Sequence, residues 1–80
     1  MSFFTSLPTS TRIQVLESSR NQLATELINV LLRYGVDPEP FDVSDIASLE
    51  GIVVGPDMVR LEQVCQGLLV IQTKLTALGV

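Results

Sequence analysis

Leu61, Val64, Leu68, Ile71, Leu75 and Leu78 recur at alternating steps of three and four within LEQVCQGLLVIQTKLTAL. On a helix those steps keep to one face, and this seam runs for nearly three heptads, about the shortest run that argues for coiled-coil-like packing. Leucine at 61, 68 and 75 with valine, isoleucine and leucine at 64, 71 and 78 biases such a seam toward more than two helices. Met58, Cys65 and Leu69 extend the apolar arc to one flank, and Val70 faces roughly the other way. One partner helix cannot cover that arc; two or three can. Gly67, in mid-helix, costs about 1 kcal/mol relative to alanine. Either a second backbone approaches closely there and offsets the cost, or the glycine is merely tolerated.

The residues around the seam set its ends. Pro56 suits a first helical position because its missing donor has no intrahelical partner, and Asp57 favours the positive end of the dipole. The helix is expected over about 56–78, with Gly79 as its stop. A second long helix is expected over about 10–34. There Ile13, Leu16, Leu23, Leu27, Val30 and Tyr34 keep heptad spacing, with Arg20 in the missing place. Ala24, Ile28 and Leu31 widen this stripe, while Gln22, Glu26, Asn29 and Arg33 form a wet face. Thr11 and Gln14 fit a capping box, Pro8 discourages an earlier start, and Gly35 ends the helix. At 1.5 Å per residue both helices span about 33–37 Å, a match that favours an antiparallel hairpin.

The connector, 35–56, is longer than a hairpin turn requires and must cover or bind something. Pro38 and Pro40 keep the residues before them extended. A short helix over about 43–50 has Asp42 as cap, Asp45 in its first turn and Gly51 as stop. Ile52-Val53-Val54 is β-branched but has no second strand to pair with, so it reads as an extended piece laid over the helices. The fold class is all-α: one domain over 1–80, an antiparallel two-helix hairpin with a short connector helix, completed to a four-helix-type bundle by oligomerisation.

Size supports that completion. A chain of 80 residues with one cysteine and no histidine has neither an internal disulfide nor the usual metal ligands to reinforce a small core. Its apolar share is 46% and its mean hydropathy +0.41, rich for a small monomer with a solvated surface. The expected partner is a second copy, as a homo-oligomer of two or more chains. The candidate interface is Leu61, Val64, Leu68, Leu69, Ile71, Leu75 and Leu78 with Leu23, Leu27 and Val30 of the first helix. Two rivals remain: a helix from another protein, or a monomer whose connector closes as a lid through Phe41, Ile46, Leu49 and Ile52.

Catalysis is not expected. Without histidine, and with Cys65 in an apolar run, the usual nucleophile pairs and transition-metal sites cannot form within one chain, and no cofactor or metal is implied. Cys65 reads as core, with intermolecular pairing as the alternative. The five glycines are scattered and make no phosphate loop. Six of the nine acids lie in 37–57, with no Lys or Arg between Arg33 and Arg60. Asp37, Glu39, Asp42 and Asp45 are a candidate contact surface for a basic partner, or a solvated loop. DPEPFDVSD lacks the central glycine and closing glutamate of a calcium loop. Arg20 either lays its stem over the core with its head in water, or pairs across an interface with an acid such as Glu17 or Glu62 and fixes register.

The cations Arg12, Arg20, Arg33, Arg60 and Lys74 are spread along both helices. With Ser6-Leu7-Pro8 ahead of the first helix and Cys65 in the second, the layout resembles the small dimeric double-stranded RNA-binding suppressors of insect nodaviruses. That resemblance implies nucleic-acid binding as the alternative function. It covers layout more than residues, the basic face of that family is absent, and a net charge of −4 opposes phosphates, so no binding residues carry over. Residues 61–80 have the length of a membrane span but carry Glu62, Gln63, Gln66, Gln72 and Lys74, and MSFFTSLPTSTR lacks a secretory pattern. A cytoplasmic assembly protein of small viral or phage type is the expectation, on size and style alone.

Overall fold

The computed structural model describes residues 2–80. Two helices, α1 (Thr9–Arg33) and α2 (Pro56–Ala77), pack as a hairpin in a molecule of 42 × 23 × 17 Å. Both lie within a residue or so of the bounds expected from periodicity and Gly/Pro punctuation. Short 3-10 helices precede α1 at Phe4–Ser6 and occupy the connector at Val43–Leu49.

The start of α1 differs from the capping-box expectation. The helix begins at Thr9 with Pro8 at the cap and no side-chain cap bond, so Thr11 already lies inside the first turn. Arg12 does the anchoring instead: its guanidinium reaches back to donate to the Leu7 carbonyl (2.8 Å) and the Thr5 carbonyl (3.0 Å). At the other end Gly35, at φ 72°, lets the chain reverse while the Val36 N–H closes onto the Leu31 carbonyl at 2.9 Å.

The connector helix is of 3-10 rather than α type, which decides what it buries. Two short turns joined by a kink at Asp45, whose backbone is non-helical (φ −105°, ψ 28°), set Val43, Ile46 and Leu49 against the hairpin. Asp42 caps it as expected, accepting the Ser44 N–H at 2.9 Å. The extended reading of residues 52–54 is corrected. Gly51 turns the chain at φ 84° and the Val53 N–H donates to the Leu49 carbonyl at 3.0 Å. Val53 is therefore driven into the core, while Ile52, expected in the lid, stays half exposed.

The core has two parts. Toward the connector, Leu27, Val30 and Leu31 of α1 meet Leu61, Val64 and Cys65 of α2 under Leu49 and Val53. Toward the open end of the hairpin, Leu16, Ile71 and Leu75 form a smaller cluster covered by Phe4. Leu23 touches both clusters. Its Cδ1 lies 2.9 Å from where a Cβ on Gly67 would be, so Gly67 makes room for a leucine methyl rather than for a second backbone.

Two polar ties fix the register of the hairpin. The Tyr34 hydroxyl donates to Asp57 Oδ2 at 2.7 Å, which raises the tyrosine pKa. Arg60 donates from two nitrogens to the Glu26 carboxylate at 2.6 and 2.9 Å. That charged hydrogen bond holds the Glu26 carboxyl below the ordinary carboxylate range. A depressed folded pKa gives stability that is present above the unfolded value, about pH 4.3, and lost as pH falls through the folded one. The melting-temperature difference between the wild-type chain and Glu26→Gln is therefore expected to be small and positive at neutral pH and to vanish in acid. A thermal melt series by circular dichroism checks it.

Candidate functional site

The hairpin consumes most of its own seam. Leu61, Val64 and Leu75 are at most 1% exposed, and Ile71, Leu27 and Val30 are also buried; Leu23, Leu68 and Leu78 are half-buried. These candidate interface residues pack against the chain's own α1, α2 and connector. Leu69 is the exception: it is 40% exposed. The connector thus covers that flank of α2 at Cys65 and not at Leu69. Periodicity alone could not separate the two, because a seam looks the same whether its cover comes from the same chain or another.

Leu69 borders a groove of about 380 Å³, while Leu32, Val54 and Val59 are exposed outside it. Ala24, Ile28 and Leu31 line one side from α1, and Leu68 and Leu69 the other from α2. Pro38, Phe41 and Val43 of the connector close one end, while Arg20 and Gln72 stand at the other. The connector acts as a third layer over half of this face and then stops. Where it stops, Ile28 (42% exposed) and Leu69 form apolar rims. Ile28 and Ala24 were visible in the sequence as the widening of the first stripe. Phe41 was visible only as a lid residue, and Pro38 and Val43 were not, since they lie in an acidic, proline-containing stretch with no period. Val70 lines a shallower patch with Gln66, Thr73 and Lys74 that adjoins the groove at Leu69.

Within the chain Arg20 lies along the groove and its ion pair is local to α1. Its guanidinium pairs with Glu17 at 3.7 Å within the same helix, both side chains about 40% exposed, and its stem lines the groove. Such an exposed pair contributes little to stability. The candidate acidic contact surface is partly structural. Asp37 Oδ1 accepts the Glu39 N–H at 3.0 Å, and Asp42 caps the 3-10 helix, its carboxyl held below the usual range by the Ser44 hydroxyl and N–H. Glu39 and Asp45 point into solvent. Among the described residues no cluster of three or more histidines, cysteines or acids could hold a metal ion.

Each cation has local company. Arg33 faces Asp57 at 3.9 Å and Arg60 holds Glu26. Arg12 and Lys74 flank the Phe4 ring at 5.9 and 5.7 Å from its centroid. These contacts leave no continuous basic stripe of the kind a phosphate backbone requires. Cys65 is 2% exposed, and burial pushes its thiol pKa up, so it is core and not poised for pairing. Among the described residues no helix is long and apolar enough to cross a membrane. Comparison with family models, curated proteins and solved structures returns no match.

Proposed function

We propose that this chain is a non-enzymatic association protein that self-assembles through the groove face, burying Ile28 and Leu69 against another polypeptide. The observation that carries the reading is the half-covered face: an apolar groove with exposed aliphatic rims, directly beside a connector that already covers the other half. Exposed apolar residues scattered singly need no explanation, but rims on both walls of one groove mark a contact surface.

Sedimentation velocity across a concentration series tests this. The wild-type chain is expected to sediment above its 8.7 kDa monomer mass at micromolar concentration. Ile28→Glu with Leu69→Glu should raise the dissociation constant by about 100-fold or more, since each carboxylate would have to be desolvated on a dry rim. The helical circular dichroism spectrum should persist, because both positions are already partly in water. A wild-type chain that stays at 8.7 kDa at every concentration defeats the proposal.

A further inference from the structure

We propose that the groove holds the alkyl tail of a single-chain aliphatic carboxylate, with the head group at Arg20. This site stands apart from self-assembly: the tail fills the floor, and the rims of Ile28 and Leu69 remain for whatever lies above them.

The distribution of polarity along the groove carries the assignment. Arg20 on α1 and Gln72 on α2 are the polar residues of its lining, and both stand at the end away from the connector. Every other lining residue is apolar, as far as Pro38, Phe41 and Val43 at the connector end. An amphipathic partner helix is apolar on one side of its axis and polar on the other. This groove is instead apolar along its length and polar at one end, which matches a molecule with a tail and a head. Its volume of about 380 Å³ falls in the lower part of the range of small-molecule sites, roughly 300–1,000 Å³. From Arg20 to Leu31 the floor runs about 16 Å at 1.5 Å per residue of α1, the length of an extended dodecyl tail.

Charge decides the head. Among the described residues that line the groove, Arg20 is the only cation and none is an acid. The arginine stands where heptad spacing calls for an apolar side chain, so its presence in the seam has no packing rationale. Glu17 approaches one terminal nitrogen at 3.7 Å, too far for a hydrogen bond. That contact does not engage the planar fork with which arginine grips a carboxylate through two parallel bonds. A cationic head would meet Arg20 with no acid in the lining to offset it.

Titration calorimetry with dodecanoate below its micelle concentration tests the site, with dodecyltrimethylammonium carrying the same tail on a cation. Dodecanoate is expected to bind one per chain and about fivefold or more tighter than the ammonium compound. Arg20→Leu should weaken dodecanoate by about fivefold, the scale of a partly exposed charge pair, and leave the ammonium compound unweakened. Ala24→Phe, which fills the floor, should abolish uptake of both, and helical circular dichroism shows whether each variant is folded. Decanoate should bind about fourfold more weakly than dodecanoate, half the effect of fully burying two methylenes, because the groove is open on one side. Equal affinity for the two heads, or dodecanoate binding unmoved by either variant, overturns the proposal. Co-sedimentation with phosphatidylglycerol vesicles without uptake of free dodecanoate overturns it in favour of a membrane surface. A chain that sediments above 8.7 kDa and takes up no dodecanoate overturns it in favour of a second copy. A monomer that binds dodecanoate supports this site and defeats self-assembly.

Discussion

Leu61→Ala is expected to remove a third or more of the chain's stability. Leu61 is fully buried, in the cluster that joins α1, α2 and the connector. Truncating such a leucine costs about 3–5 kcal/mol, the transfer free energy of the lost carbons plus the cavity they leave. An 80-residue domain has only about 4–12 kcal/mol to lose, at roughly 0.05–0.15 kcal/mol per residue. Leu68→Ala is the control: in the same seam but half-buried and bordering the groove, it should cost about half as much. Urea unfolding followed by circular dichroism reads both, at one fixed protein concentration because association would add to apparent stability. Equal losses at 61 and 68 would contradict the burial difference on which the site rests.

Val53→Asp is expected to release the connector while sparing the hairpin. A carboxylate at this site has no cation within the cluster, and burying it unpaired costs several kcal/mol. The chain can escape that cost by lifting the segment around Leu49 and Val53 into water, giving up only the burial of those side chains. The cheaper outcome wins, so the loss is capped at about 3–4 kcal/mol, the burial free energy of one leucine and one valine. Lifting the segment uncovers Cys65, which shares that cluster. Its reaction with a disulfide reagent should accelerate by 100-fold or more relative to the wild-type chain, in proportion to the open population. A thiol that stays as slow as in the wild type would show that the connector does not cover it.

The hairpin was legible because its signals are local. Heptad spacing placed Leu61, Val64, Ile71 and Leu75 inward, and Gly35, Pro56 and Gly79 marked ends that the structure keeps. The capping box at Thr11 and Gln14 misled because a guanidinium, which a four-residue pattern does not include, does the anchoring from Arg12. Ile52 was placed in the lid and Val53 was not distinguished, since β-branched neighbours look alike until the turn at Gly51 sets which one faces in. The groove was the least legible part. Its existence depends on where the connector stops, and that is fixed by Pro38, Phe41 and Val43 meeting both helices at long range. Within the chain Leu61, Val64, Ile71, Leu75, Leu27 and Val30 are buried and Leu69 is not, while Ile28 had been seen only as the edge of a stripe.

Leu23, seated in the notch left by Gly67, divides the hydrophobic interior into unequal lobes. The lesser lobe has no connector above it and buries only Leu16, Ile71 and Leu75, with Phe4, Ile13, Leu23 and Leu78 packed around them. Thermal breathing should therefore begin there, with amide protons around Leu16 and Leu75 exchanging through brief openings that leave the larger lobe shut. Whatever pairs with that end would silence the breathing first.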